Sequence, residues 1–297
     1  VSEGEVRGVR LAGGEEVRSP VVLLATGHSA RDTVRRLFAQ GVGMSGKAFA
    51  VGFRVEHPQA MIDRIQYGPM AGKGLPPAEY RLAARAPSGR GVYSFCMCPG
   101  GEVMNAASGE GQSPVNGMSV RARNSGFGNS GIVASIAPAE FGEAGAQEGD
   151  PLAGIGFQEE IERRAFDRGG GGYGVPAANL LAFLRGKEFP PSPGRLLAPR
   201  VVPDDLRGIL PGAVEEDIRF GLLRFGGAMR GFLTREATLY AGEARTSSPV
   251  RIERVNYESV THKGLYPVGE GAGHAGGIVS SAVDGIRAAL RILETYS

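Results

Sequence analysis

Two short stretches at opposite ends of the 297-residue sequence carry residue types suited to holding an anionic or electron-rich ligand. The first is Ala25-Thr26-Gly27-His28-Ser29-Ala30-Arg31-Asp32, which follows the apolar run Val21-Val22-Leu23-Leu24. A buried strand that ends in a turn of small residues is where open α/β sheets bind ligands. The same pattern also suits an ordinary strand-to-helix connection. The second is Gly269-Glu270-Gly271-Ala272-Gly273-His274-Ala275-Gly276-Gly277-Ile278. Bare backbone before a helix leaves N–H groups unpaired at the positive end of the dipole. An anionic group can approach such a start closely, and Glu270 can accept hydrogen bonds from ligand hydroxyls. Gly271, Gly273 and Gly276 formally satisfy Gly-x-Gly-x-x-Gly. A dinucleotide fold would need a further strand with an acid about 20 residues on, and the sequence stops at Ser297. Gly169 to Gly174 fits the same spacing but follows a helical segment, so it reads as a loop.

Other reactive groups are sparse. Cys96 and Cys98 are the two cysteines. At i and i+2 on a strand they share a face, and a disulfide between them would be strained. They read as structural thiols or as part of a substrate cavity. His57 suits a proton donor to a substrate or a histidine packed beside Pro58. Arg245 and Arg251 flank Thr246-Ser247-Ser248-Pro249. That cluster suits an acidic substrate or a cofactor phosphate, or else a surface turn with ion pairs. The four histidines show no ligand spacing, so no metal is expected. No Gly-x-Ser-x-Gly elbow supports a serine hydrolase.

These residues need scaffolding, and the pattern supplies it. Val6 to Arg18 reads as a hairpin turning at Gly13-Gly14, and Val21 to Ala25 as a strand buried on both faces. Thr33 to Ala39 reads as a helix ended by Gly41. In the middle, strands are expected at Lys47 to Glu56, Tyr80 to Ala84, Gly91 to Cys96 and Ile132 to Ile136. Val103 to Ala106 is expected to pair with the strand before the Pro99-Gly100-Gly101 turn. Helices are expected at Pro58 to Ile65, Phe157 to Asp167, Ala177 to Leu184, Arg200 to Gly208 and Ala213 to Arg230. Gly142 to Asp150 reads as an acidic surface loop. Ile278, Val279, Ala282, Ile286, Ala289, Leu290 and Leu293 recur at helical spacing in the last segment.

Composition bounds the rest. Apolar residues make up 42% and charged residues 22%, the balance of a globular protein. Glycine supplies 48 residues, about twice the usual share, with no collagen period. No run of about 18 apolar residues predicts a transmembrane helix. The start has no signal-peptide pattern, and two cysteines build no disulfide scaffold. A reducing cytoplasm is the expected compartment. The net charge of +2, with no basic block, argues against a dedicated nucleic-acid binder. The sequence opens without Met and within a strand pattern, which suggests the C-terminal part of a longer protein.

Six motifs carry a resemblance. They are Leu24 to Thr33, Phe53-Arg54-Val55-Glu56-His57-Pro58-Gln59, Tyr93-Ser94-Phe95-Cys96-Met97-Cys98-Pro99-Gly100-Gly101, Asn116-Gly117-Met118-Ser119, Arg245 to Ile252, and Tyr266 to Gly273. Together they resemble the C-terminal two thirds of a bacterial family of FAD-dependent dehydrogenases, also called NAD(FAD)-utilising dehydrogenases. The resemblance implies an α/β fold with an inserted α+β module. Residues 1–46 and 262–297 would form an incomplete FAD/NAD(P)-binding domain of glutathione-reductase-like type, and 47–261 a substrate or cap domain. The phosphate-binding loop would lie upstream of Val1. It further implies that Ala25, Thr26, Gly27 and His28, with Gly269 to Ile278, hold FAD. Glu270 would stand where an Asp usually holds the ribityl chain. Asn116, Met118, Arg245, Thr246, Ser247, Ser248 and Arg251 would meet a small-molecule substrate, and His57, Cys96 and Cys98 are the catalytic candidates. NAD(P)H would be an electron donor. His274 and Ala244 depart from the family's Tyr and Thr, which bears on substrate detail more than on flavin. The expected activity is hydride transfer between flavin and a small substrate. Alternatives are a flavin-dependent reductase, an RNA-modifying flavoprotein, or a non-catalytic binding fragment.

Overall fold

The computed structural model describes residues 4–144, 149–186, 196–197 and 200–296. The chain folds as two compact units. The first gathers Val1–Phe49, Ala137–Phe157 and Ser247–Ser297, and the second Ala50–Ile136 and Gln158–Thr246. Residues 137–157 and 247–261, which fall inside the expected insertion, pack in the first unit.

In the first unit the strands Gly8–Arg10 and Glu16–Arg18 form the expected hairpin. Val22–Leu24 runs parallel to Leu265–Pro267, with Val22 opposite Leu265 and Leu24 opposite Pro267. Met44–Gly46 runs antiparallel to Val250–Ile252. Val6, Val42, Ile252, Leu265 and Ala272 close into a core over these pairs. A strand buried on both faces was expected at Val21 to Ala25. The strand forms, but Leu23 is 41% exposed, because the parallel pair is a sheet of only two strands. Helix Arg31–Ala39 follows the first turn. Helix Ile278–Tyr296 follows the glycine run and leaves Ile278, Val279, Ile286, Leu290 and Leu293 exposed.

The second unit is built on a seven-stranded mixed sheet. Its order is Val201–Pro203, Val175–Asn179, Thr238–Glu243, Phe49–Pro58, Phe127–Ile136, Gly91–Cys98, Ala83–Arg85. The first two strands are parallel. β-branched and aromatic residues suit the two long central strands, and Phe53, Val55, Ile132 and Val133 are fully buried there. Helix Gly212–Ala228 turns Val214, Ile218, Leu222 and Phe225 inward at helical spacing. It comes so close to the sheet that a Cβ on Gly221 would stand 2.4 Å from Val92 Cγ1.

Three expectations need correction. Ala177 to Leu184 is not one helix. Val175–Asn179 is a strand paired on both sides, and the helix begins at Leu180, where Asn179 Oδ1 accepts from Leu181 N at 3.0 Å. Val201–Pro203 is an edge strand rather than the start of a helix, a position that tolerates proline's missing donor. The strand after the Pro99 turn, Glu102–Asn105, pairs with Val115–Met118. The backbone at Gly101 passes so close to Met118 O that a Cβ there would stand 2.5 Å away. Of the expected acidic loop, residues 145–148 lie outside the described residues.

The central sheet closes around Gly52, where a Cβ would stand 1.9 Å from Ile132 O. Gly52→Ala is expected to force the two strands apart and cost about 3 kcal/mol or more in urea unfolding. Gly227→Ala, on the exposed face of helix Gly212–Ala228 with open space around it, should stabilise the same unit by about 0.5–1 kcal/mol. Equal effects at the two sites would contradict this packing.

Candidate functional site

Parallel pairing places the ends of Val22–Leu24 and Leu265–Pro267 side by side, so the turns that follow them emerge together. Val268 N donates to Leu24 O at 3.0 Å. Three residues further along each chain, a Cβ on Gly271 would stand 2.5 Å from Gly27 O. His28 Nδ1 lies 3.2 Å from Glu270 Oε1. The first unit thus brings together Ala25, Thr26, Gly27 and His28 with Gly269, Glu270, Gly271, Ala272 and Gly273, although 240 residues separate the two runs. His28 Nε2 is a buried atom with no hydrogen-bond partner. Ala25, Thr26, Gly27 and Gly276 are exposed, Ala275 and Gly277 half-buried, and Ile278 is 92% exposed.

The glycine run is folded tightly on itself. Gly273 N donates to Glu270 O at 2.9 Å, and His274 N to Gly269 O at 3.2 Å. The His274 imidazole donates from Nε2 to Ile252 O at 2.9 Å. Partial burial holds its pKa below the ordinary histidine value. Asp284, on the helix that follows, ties the run down from below. Its carboxylate accepts from Gly269 N at 2.8 Å and from Arg254 at 2.6 and 2.9 Å. Partial burial pushes Asp284 up, but the Arg254 guanidinium and the Gly269 N–H together hold it below the usual carboxylate range.

Sequence reasoning missed Asp284, whose signal was a lone acid in the apolar first half of the last helix. It also missed Lys47, one of four lysines in a chain with 29 arginines. Lys47 Nζ donates to Ser247 Oγ and to Ser248 O, each at 3.2 Å. Burial first, then the nearby Arg251 charge, lower its pKa, while Glu270 opposes the shift.

The hydroxyl and arginine cluster is not a single site. Arg245 and Thr246 belong to the second unit, and Ser247, Ser248 and Arg251 to the first. Arg245 is engaged by Glu162 through two bonds of 2.8 Å and also bonds Ser108. Thr246 Oγ1 accepts from Ala50 N at 3.1 Å and donates to Ala50 O at 2.8 Å. Ser248 Oγ donates to Val250 O at 2.9 Å. Backbone geometry therefore uses the Thr246 and Ser248 hydroxyls, while Ser247 and the exposed Arg251 remain beside Lys47.

A second constellation centres on Arg54, a buried charge in the middle of strand Phe49–Pro58. Its side chain is wholly buried against Glu243, with bonds of 2.7 and 2.9 Å. It also donates to Asn129 Oδ1 at 2.8 Å, to Asn116 Oδ1 at 3.4 Å and to Cys96 O at 3.4 Å. Removing one partner from such a pair leaves an uncompensated charge, at about 3–5 kcal/mol. Cys96 is exposed and Cys98 buried. Asn116 and Met118 are exposed on strand Val115–Met118, which pairs with Glu102–Asn105. Among the described residues no three His, Cys, Asp or Glu side chains gather as a metal site, and no helix is long and apolar enough to cross a membrane.

His57 is in the interior. It is 0% exposed, its ring tilted against Phe232 with centroids 4.7 Å apart, and its Nε2 donates to Phe232 O at 2.8 Å. That placement suits packing rather than proton transfer to a ligand.

Residues 48–246 match the family described as FAD-dependent protein, C-terminal domain-like. The match begins and ends close to the limits of the second unit. A protein of Clostridium beijerinckii (strain ATCC 51743 / NCIMB 8052), described as uncharacterized, is 40% identical over 294 residues. The alignment covers 95% of this chain and 53% of the relative, so the chain spans about half the relative's length.

Burial pushes His57 down to about 4 from an ordinary 6.5, against the opposing bond to Phe232 O. Between those values the unfolded chain binds the additional proton. The stability from keeping His57 neutral is complete above pH 6.5 and is lost as the pH falls toward 4, to about 3 kcal/mol. Urea unfolding across that range should show a shallower pH dependence for His57→Phe than for the parent. An identical slope would place the histidine outside the core.

Proposed function

The chain belongs to the FAD-dependent protein family marked by this C-terminal domain-like region, and from that premise we propose that it is part of an FAD-dependent oxidoreductase whose flavin is held by the first unit's paired turns. One observation carries the reading: His28 and Glu270, on turns far apart in sequence, stand 3.2 Å apart.

The donor set fits a flavin nucleotide. Gly27 and Gly276 have open space where a side chain would project, and His28 Nε2 is a buried atom that lacks a partner. The Glu270 side chain is 28% exposed, so it can accept hydrogen bonds from the hydroxyls of a ribityl chain. The first N–H groups of helix Ile278–Tyr296 would favour negative charge on an electron-rich ring. Lys47, its pKa lowered by burial, would add a neighbouring cation that can give up a proton. Asp284 would act as a positioning residue, fixing Gly269 and so the carboxylate beside it. When bound, FAD supplies the two-electron centre that exchanges a hydride with a substrate. In this reading the phosphate-binding loop belongs to the half of the relative's length that this chain does not span. The second unit would select a small-molecule substrate, with NAD(P)H as electron donor.

The protein at the relative's full length is expected to purify with flavin absorbance that bleaches on addition of NAD(P)H. In that protein, Glu270→Ala should weaken FAD binding about tenfold or more by fluorescence titration, the loss of one or two charge-assisted hydrogen bonds. Unchanged affinity, or protein that takes up no flavin, would overturn the proposal.

A further inference from the structure

The Cys-x-Cys sequence lies where a strand loses its regularity. Gly91–Cys98 pairs antiparallel with Phe127–Ile136, Phe95 opposite Gly131 and Cys98 opposite Asn129. Two residues, Cys96 and Met97, therefore face one, Ser130, which makes a bulge. Cys96 takes up the irregularity with a left-handed φ of +47°, a conformation that non-glycine residues rarely adopt. The bulge breaks the alternation that would set two equivalent thiols on one face. Cys96 is exposed and Cys98 is buried. Cys98 Sγ donates to Cys96 O at 3.3 Å.

The surroundings differentiate the pair. Arg54 donates to Cys96 O from a wholly buried position. Cys96 opens onto a cleft of about 490 Å³, with Tyr80, Arg81, Tyr93, Ser94 and Met97 on its walls. We propose that Cys96 and Cys98 form a thiol–disulfide exchange site, Cys96 attacking and Cys98 resolving, whose substrate is a low-molecular-weight disulfide bound in this cleft.

The electron count closes without another reactant. The Cys96 thiolate attacks one sulfur of the external disulfide. The S–S bond breaks, a mixed disulfide forms on Cys96, and the first thiolate leaves. Cys98 passes its proton to that leaving thiolate and attacks Cys96 Sγ, expelling the second thiolate. The protein dithiol is oxidised by two electrons to a Cys96–Cys98 disulfide, and the external disulfide is reduced to two thiols. The adjacent Cys98 thiol, with the Arg54 charge and against partial burial, brings Cys96 down to about 6. The adjacent Cys96 thiol and burial push Cys98 up. Exposure of Cys96 to the cleft and burial of Cys98 set the order of attack and exchange. A disulfide spanning one residue is strained, and strained, accessible disulfides are the labile ones.

The reduced chain, incubated with glutathione disulfide and followed by intact mass, tests this. The parent should lose two hydrogens and release two glutathiones without keeping an adduct. Cys98→Ser should stop at one glutathionyl group on Cys96, and Cys96→Ser should react at least tenfold more slowly than Cys98→Ser. Alkylation of the parent by iodoacetamide should rise with a midpoint near 6, and not at the ordinary thiol value of about 8.5. A persistent adduct on the parent, equal reactivity of the two serine variants, or an ordinary alkylation midpoint would each overturn the proposal. The alkylation profile needs no substitution, so a misfolded variant would not shelter it.

Discussion

The candidate flavin site rests on three residues of parallel strand pairing. Val22–Leu24 and Leu265–Pro267 are short, and a parallel ladder of that length has little stability of its own. What holds it is local reinforcement. Val22 N donates to Gly264 O at 2.8 Å, Val6 N to Lys263 O at 2.9 Å, and Leu265 packs in a core with Val6 and Ala272. Asp284 then fixes the second turn to the final helix. If the pairing slipped by one residue, every side chain would change face, and His28 and Glu270 would part.

Long-range pairing of this kind is usually opposed by the entropy of the intervening loop. For a flexible chain that cost grows slowly, by about 0.6 kcal/mol for each doubling of length. Here the second unit reduces it further by bringing its own ends together. Its first residue, Ala50, and its last, Thr246, exchange two hydrogen bonds through one threonine hydroxyl. Thr246 attracts notice in the sequence as a ligand-binding hydroxyl. In the structure it clasps the base of the unit that separates the two halves of the candidate site.

The strongly periodic elements were legible: the first hairpin, the long central strands, helix Gly212–Ala228 and the last helix. Periodicity failed where a short segment is compatible with two states. Ala177-Ala178-Asn179 has helix-forming alanines, but pairing on both sides makes it strand, and Asn179 turns from strand residue to helix cap. Side-chain partners were less legible than elements, because charge pairing ignores sequence distance. Arg245 reads either as a ligand-binding cation or as part of an ion pair, and its partner, Glu162, lies 83 positions away. The shared face expected for the two cysteines is lost for a different reason. Strand alternation assumes an unbroken ladder, and the bulge at Cys96 lies in the pairing with Phe127–Ile136 rather than in the local sequence.

Glycine abundance drew attention to the second turn, and the structure separates two reasons for it. Gly271 and Gly273 are confined by neighbouring backbone. A Cβ there would stand 2.5 Å from Gly27 O and 2.3 Å from Val250 O. Their presence is explained by chain packing, so two of the three positions in the formal Gly-x-Gly-x-x-Gly say nothing about a ligand. Gly27 and Gly276 are the opposite case, with nothing within 4 Å of an added Cβ. Gly27 has φ +72°, so the turn itself favours glycine there. Gly276 carries no such backbone demand in the structure. An open glycine just before a helix start keeps the approach to its N–H groups clear. The features that suit a bound anionic or electron-rich group are therefore Gly276, the one motif glycine that packing does not explain, the carboxylate of Glu270 and the unpartnered His28 nitrogen.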